Sequence, residues 1–307
     1  MTEQNTPEVS VCICTYKRPA LLLQLLESLA KQTFPLASFE VIVVDNDKSA
    51  SARQVIMQTA QRYPALAVRY EIEPIQGISY ARNKTVALAA GELLAFIDDD
   101  EWACSNWLSD LAASMAKLKV DAVLGPVIPK YPAGTRAWIV KSRFFERPRF
   151  VTGTYIGSDS CRTSNALVKA RWVKSRQPLP FEERLAQSGG EDHDFFKWLE
   201  GQEGKFTWCD TAVVYEEVPL VRQTLGYMLE RGLRVSAIYW QNMNQNRSKL
   251  RAIAEALLGI GIGIGFAVLG CCLFPVGLHR AARSWVISAK GFGRVIALAD
   301  TKLVGYR

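Results

Sequence analysis

Histidine is almost missing from this sequence: two occur in 307 residues. With so few imidazoles, and no Cys-x-x-Cys pair among the seven cysteines, a zinc site is disfavoured. The cysteine count is odd and the positions are scattered (12, 14, 104, 161, 209, 271 and 272), which fits a reducing cytoplasm rather than a disulfide framework. Cys12 and Cys14 alternate with apolar residues in VSVCICTY and read as small core side chains. The opening MTEQNTPEVS lacks the basic and apolar regions of a signal peptide, so no secretory leader is expected. Internal repeats and low-complexity tracts are absent apart from a GIGIGIG alternation near the end. A composition of 49% hydrophobic and 22% charged residues excludes general disorder, and the length suffices for one large domain or two modest ones.

The charge that is present is unbalanced. A net +7 suggests an anionic partner: nucleic acid, anionic lipid or a nucleotide-linked substrate. Much of the excess lies in the C-terminal third beside Ala252–Leu278, an apolar run whose single charge is Glu255. Its uncharged part, Ala256–Leu278, meets the ~20-residue requirement for a bilayer span; a buried core helix is the alternative. Arg247, Lys249 and Arg251 precede the run and Arg280, Arg283, Lys290 and Arg294 follow it, so loop charge sets no clear orientation. A re-entrant hairpin bent near Pro275 would keep both flanks cytoplasmic, with the segment from Ser284 as an interfacial amphipathic helix. Nucleic acid is disfavoured, because the basic residues follow the apolar tail instead of forming an aromatic-lined face.

Periodicity supplies the architecture. VSVCICTY (Val9–Tyr16), FEVIVVDND, AVRYEIE, ELLAFIDDD and DAVLGPVI read as buried strands. Helices are expected from Arg18-Pro19 to about Gln32, over 50–63, from the glycine turn of GISYARNKTVALAAG, and over NWLSDLAASMAKL. Further on, RTSNALV reads as a strand, a helix begins near Glu191, FTWCDTAVVYEEVP is a strand pair or one long strand, and a long amphipathic helix follows. Alternation of this kind implies right-handed crossovers and a mostly parallel α/β sheet flanked by helices. Ligands bind such sheets beyond the carboxyl ends of the strands. Thr15 to Arg18, Asp45 to Asp47 and Asp98 to Asp100 all fall at such ends and are expected to converge.

Asp98, Asp99, Asp100 and Glu101 cannot all stay ionised without a counter-charge. Mg²⁺ or Mn²⁺, held by one or two carboxylates and completed by phosphate oxygens, would provide one; a solvated acidic turn is the alternative. Asp45 could accept hydrogen bonds from a base or sugar, or merely form a turn. Arg82 and Asn83 lie on a helix nearby, where a guanidinium would pair with the acidic cluster or a phosphate. Glu191 and Asp192 follow Ser-Gly-Gly at a helix start. N-capping would explain them, but Asp192 is also a plausible general base.

In order, VSVCICTYKRP, EVIVVDND, GISYARNKTVALAAGELLAFIDDDEW, RTSNALV and GGEDHDFF resemble the motifs of the family 2 glycosyltransferases. The resemblance covers about residues 8–240 and is strongest to the exopolysaccharide branch that includes succinoglycan glucosyltransferases. It implies a GT-A, Rossmann-like fold for residues 1–240 and leaves 241–307 as a membrane-associated helical region. It also implies a nucleotide-diphospho-sugar donor. Thr15 and Arg18 would then line the nucleotide pocket, Asp45 would contact the base, Arg82 and Asn83 would hold the nucleotide, and Asp98 its ribose. Asp98 and Asp100 would hold the metal, with Asp99 against Asp100 left open as the principal ligand. Asn165 would line the donor-sugar pocket, and Glu191 precedes Asp192, the catalytic base. Glu216 or Glu217 would replace a metal-side ligand, and Arg231 or Arg234 would contact the diphosphate, surface charges being the alternative. The family's Gln-x-x-Arg-Trp element is missing, which argues for transfer of one sugar rather than processive synthesis. The acceptor would be a glycan or polyprenyl-linked molecule at the inner membrane, with membrane lipid as a further partner and the catalytic domain facing the cytoplasm. The rival readings are a non-catalytic nucleotide- or glycan-binding module and a sugar nucleotidyltransferase. The first predicts a broken metal or base motif; the second predicts a better phosphate loop than CTYKRP.

Overall fold

The computed structural model describes residues 6–244 and 248–298, so Arg247 and the end of the expected tail region lie outside the described residues. The elements, in chain order, begin with β1 (Val9–Thr15), α1 (Pro19–Leu29), β2 (Phe39–Asp45), α2 (Arg53–Arg62), β3 (Val68–Ile72), α3 (Ile78–Leu88) and β4 (Leu93–Ile97). There follow β5 (Glu101–Ala103), α4 (Trp107–Leu118), β6 (Ala122–Leu124), β7 (Val127–Lys130), α5 (Ala137–Ser142), β8 (Asn165–Lys169) and α6 (Ala170–Ser175). The chain finishes with α7 (Glu191–Gly201), β9 (Phe206–Trp208), β10 (Val214–Glu217), α8 (Leu225–Asn244), α9 (Lys249–Leu273) and α10 (Leu278–Ile296).

The chain divides into two compact units. The first comprises residues up to Ile128, Arg147–Ala186 and Glu191–Glu216. Its seven-stranded sheet runs β3-β2-β1-β4-β8-β6-β9. β1 pairs in parallel with β2 and β4, β2 with β3, and β6 with β9, whereas β8 is antiparallel to both β4 and β6. Strands buried on both faces need apolar side chains in both directions, which is why β1 and β2 read as continuous apolar runs. Val11, Ile13, Val41 and Val43 pack with α1 and α4, while Cys12, Ile42 and Val44 face residues of α3 and α7. Cys12 is buried core as expected, and burial pushes its thiol up to about 12.

Two strand readings are refined by the structure. DAVLGPVI is two strands in different sheets, because the chain breaks at Gly125-Pro126. A Cβ on Gly125 would lie 2.3 Å from the Ala212 carbonyl oxygen, and Pro126 has no N–H to donate to a ladder. FTWCDTAVVYEEVP is a strand pair, likewise split between sheets. An additional short strand, β5, follows the aspartates and runs antiparallel to β10, setting Glu101 opposite Glu216.

The second unit holds Pro129–Glu146, Gln187–Gly190 and the described residues from Glu217 onward. The long amphipathic helix expected after β10 is α8, and it packs on α10, as do α5 and α9. α9 and α10 form a helical hairpin that turns through Phe274–Val276, around the expected bend at Pro275.

Asp121, just before β6, fastens three parts of the first unit. Its carboxylate accepts from Trp172 Nε1 (2.8 Å), Arg171 (3.0 Å), Lys169 (3.3 Å) and the Lys205 amide (3.2 Å). Partial burial opposes ionisation, but these donors outweigh it and hold the carboxyl below its ordinary range. A carboxylate whose folded pKa is depressed contributes stability above its unfolded value, and that contribution fades as pH falls through the folded value. Asp121→Asn should therefore cost about 2 kcal/mol in urea unfolding at neutral pH. The difference from the parent chain should shrink as unfolding is measured at progressively acidic pH.

Candidate active site

Parallel register brings the strand ends together. Thr15 and Asp45 are partners at the ends of β1 and β2, and Cys12 pairs with Phe96 of β4. The aspartate triplet that follows β4 therefore emerges beside Thr15, whose hydroxyl donates to Asp99 Oδ2 at 2.8 Å. Lys17 adopts a left-handed φ of 54°, which turns the chain so that Arg18 faces the same carboxylates. Arg18 donates to Asp99 Oδ1 at 3.1 Å and to Asp100 Oδ2 at 3.2 Å. Asp99 is thus drawn inward and is 5% exposed. The side chains of Asp98 and Asp100 remain 42% and 21% exposed.

Arg82 closes the site from α3. It is buried, pairs with Glu191 at the start of α7, and brings its second terminal nitrogen to 3.6 Å from Asp98 Oδ1. Its guanidinium lies 5.4 Å from the centre of the Phe181 ring. Burial works against its charge, yet Glu191, Asp98 and Asp192 together raise its pKa and keep it protonated. Asp192 follows Glu191, is partly exposed, and accepts from the His193 amide at 2.7 Å.

Three of the expected ligands have partners within the protein. The Asn83 amide exchanges hydrogen bonds with the Phe181 backbone (2.8 and 2.9 Å), fixing the ring beneath Arg82. Asn165 is 2% exposed. It donates to the Pro126 and Ala212 carbonyls (3.0 and 2.8 Å) and accepts from Trp107 Nε1 (2.8 Å), joining β8 to both strand breaks. Asp45 is fully buried and accepts from Asp47, Ser51, Ala52 and Tyr70, so its carboxylate anchors the start of α2.

Other residues build the frame around the site. Asn46 donates to Glu73 and Ile75 carbonyls and accepts from Gly77 N at 2.7 Å, which sets the turn before α3. Gly77 has φ +154°, and a Cβ there would strike Ala186 at 2.7 Å, so glycine is required. Arg147, between α5 and β8, donates to Glu216 Oε2 at 3.0 Å and Ser164 Oγ at 2.6 Å. It also faces Glu101, Asp98 and Asp100 electrostatically. Glu216 is thus an arginine partner. In the second unit, Arg234 pairs with Glu230 at 3.1 Å and Arg231 stacks on Phe144 at 6.0 Å.

The acidic cluster suits a hard dication. Partial desolvation, with Asp100 and Asp99 beside it, pushes Asp98 up to about 7 against the pull of Arg82, and burial pushes Asp99 up to about 6 against Arg18. Glu101 is 1% exposed, and its Oε1 has no hydrogen-bond partner among the described residues. No three acidic, histidine or cysteine side chains are already converged on a metal position among the described residues. A bound ion would therefore take Asp98 and Asp100 and complete its shell with substrate oxygens, as Mg²⁺ and Mn²⁺ do at phosphate sites.

The fold is of the GT-A type seen in solved glycosyltransferases. Within it, the chain belongs to glycosyl transferase family 2, whose model matches residues 10–174. It is similar along nearly its whole length to the succinoglycan biosynthesis protein ExoM of Rhizobium meliloti (strain 1021), at 32% identity over 99% of this chain and 97% of that protein. A shorter likeness, 33% over 43% of each chain, is to glycosyltransferase AglE of Haloferax volcanii. Among solved structures, S. aureus TarS 1–349 in complex with UDP matches 92% of this chain and 89% of its own with a TM-score of 0.54 at 20% identity. The mannosyltransferase PcManGT from Pyrobaculum calidifontis, in complex with GDP-Man and Mn2+, covers 97% of this chain and 76% of its own with a TM-score of 0.56 at 18% identity. At these identities both structures establish the fold.

Breaking one side of the buried pair should be costly. Arg82→Met leaves Glu191 without its counter-ion and should lose about 3–5 kcal/mol in urea unfolding. Adding Glu191→Gln should recover much of that loss, giving a large coupling energy in the double-mutant cycle.

Proposed function

We propose that this chain moves a single sugar from a nucleotide-diphosphate sugar, a UDP-sugar, to a glycan or polyprenyl-linked acceptor, with inversion at the anomeric carbon. The work belongs to cell-surface polysaccharide synthesis at the cytoplasmic face of the inner membrane. The observation that carries this reading is the Arg82 bridge: one guanidinium joins Asp98 at the β4 end to Glu191, the neighbour of Asp192. Donor-side and acceptor-side carboxylates are thereby held about the same cation. The UDP complex of TarS, the Mn2+ in PcManGT and the succinoglycan role in the name of ExoM support donor, metal and pathway class respectively. The apolar α9 supports an acceptor carried in lipid.

In this reading Asp192 takes the proton from the acceptor hydroxyl. The hydroxyl oxygen attacks the anomeric carbon from the face opposite the nucleotide, and the bond to the diphosphate oxygen breaks with its electron pair leaving on the diphosphate. Asp98 and Asp100 would hold Mg²⁺ or Mn²⁺, which when bound supplies Lewis-acid stabilisation of a leaving diphosphate. Thr15 and Arg18 fix Asp99 so that its neighbours keep their orientation, and Arg18 lies where it can pair with phosphate. Arg82 sets the start of α7, and with it the direction of Asp192.

Asp192→Asn should lower UDP release from a UDP-sugar by ~10²–10⁴-fold while calorimetric donor affinity stays unchanged; near-normal turnover would remove Asp192 as the base. Chelation with EDTA should stop turnover and added Mn²⁺ should restore it. Asp100→Ala should abolish the part of nucleotide affinity that depends on Mn²⁺, and equal affinity with and without the ion in the parent chain would count against the metal site.

A further inference from the structure

The two sides of α9 differ. Its buried residues, Ala252, Ala256, Gly259, Gly263 and Gly270, occupy one narrow sector of the helix and face α10. A Cβ on Gly259 would lie 2.5 Å from the Gly291 carbonyl oxygen, one on Gly263 2.8 Å from the Phe292 ring, and one on Gly270 2.3 Å from Trp285 Nε1. Small residues thus allow a close helix seam. The opposite half-cylinder exposes Leu250, Ile253, Leu257, Ile264, Val268 and Leu269. The helix is long and apolar enough to cross a bilayer, and little of its apolar length is buried within the protein. An apolar face this long, left bare in water, marks a site of contact.

α10 argues against crossing a bilayer. Its exposed stripe is Arg280, Arg283, Ile287 and Lys290. Arg283 donates to the Ser142 and Lys141 carbonyls at the end of α5 (2.7 and 2.8 Å), and Ser236 of α8 donates to the Lys290 carbonyl (2.6 Å). α10 is therefore a layer between α9 and helices α5 and α8, which carry Lys141, Glu230, Arg231 and Arg234. Inserting the hairpin tip-first would drag Arg283, Lys290 and those helices into hydrocarbon, where charges are expelled. Laying α9 flat requires none of this. Exposed Lys249 and Arg251 lie at one end of α9, and exposed Arg280 lies just past the turn at the other. Cations at both ends match a plane of anionic headgroups. Glu255, the acidic residue of the apolar stretch, is neutralised by Arg294 at 3.0 Å.

We infer that α9 is an in-plane, monotopic membrane anchor, its apolar half sunk into one leaflet and its glycine face carrying the rest of the second unit. The inference rests on the membrane location proposed above and not on the sugar-transfer chemistry.

The test uses the full chain with Cys104, Cys271 and Cys272 changed to serine. Single spin labels are placed at Leu257→Cys, Ile264→Cys or Val268→Cys, on vesicles of phosphatidylcholine with phosphatidylglycerol. The three positions share one side of the helix, so an in-plane helix gives them a common depth. A crossing or tip-first helix separates 257 from 268 by ~16 Å of depth, at 1.5 Å per residue, and that gradient would overturn the inference. Leu257→Glu with Ile264→Glu should lose vesicle flotation while circular dichroism and UDP-sugar hydrolysis are retained. Parent protein that stays off vesicles, and forms a dimer dissolved by the same glutamates, would show that a second copy covers α9 and would also overturn it. Flotation without any sugar-nucleotide hydrolysis would leave the anchor standing and remove the transferase reading instead.

Discussion

A single buried guanidinium organises the catalytic unit. Arg82 arrives on α3, and its charge is balanced by Glu191 on α7 and Asp98 after β4. Burying an arginine costs several kcal/mol unless it is fully paired, so the three elements cannot shift independently without exposing an uncompensated charge. The surrounding parts serve this arrangement: Asn46 and Gly77 fix where α3 begins, and Asn83 holds the Phe181 ring against which the guanidinium lies. The direction of the first turn of α7, and therefore of Asp192, follows from a contact outside that helix.

The acidic triplet is resolved by the same principle of paired charge. Asp99 is committed to Thr15 and Arg18 and behaves as a structural tether between β1 and β4. Its neighbours on either side stay partly exposed, Asp98 beside Arg82 and Asp100 beside Arg18. Arg147 supplies a further positive charge on the far side, between Glu216 and the rest of the cluster. Carboxylates directly opposite one another across β5 and β10 would otherwise repel.

The second unit obeys a different constraint. Its alternating glycines are distributed between two faces of α9: Gly259 and Gly263 meet α10, while Gly261 and Gly265 have open space beside them. Close packing is therefore confined to one side, and the other is left to whatever apolar medium the helix meets. The charged residues that flank the apolar run in sequence are partly absorbed within the unit, Arg283 by α5 carbonyls and Arg294 by Glu255. Counting flanking charges could not reveal this, because the partners lie 141 and 39 residues away.

Sequence alone determined the alternation of strands and helices through β4 and α4, the strand-end location of the acidic residues, the helix start at Glu191 and the long apolar run of the tail. These are properties of residues within a few turns of one another, and hydrophobic period and turn chemistry encode them directly. The motif order likewise determined the family. Tertiary structure decided which polar side chains are available. Thr15 finds Asp99 across 84 residues and Arg82 finds Glu191 across 109, and local pattern carries no record of such pairings. An amide or a carboxylate such as those of Asn83, Asn165 and Asp45 can serve a substrate or the protein's own backbone equally well, and the sequence does not distinguish the two. Only the packed neighbours determine which of the two uses its hydrogen bonds meet.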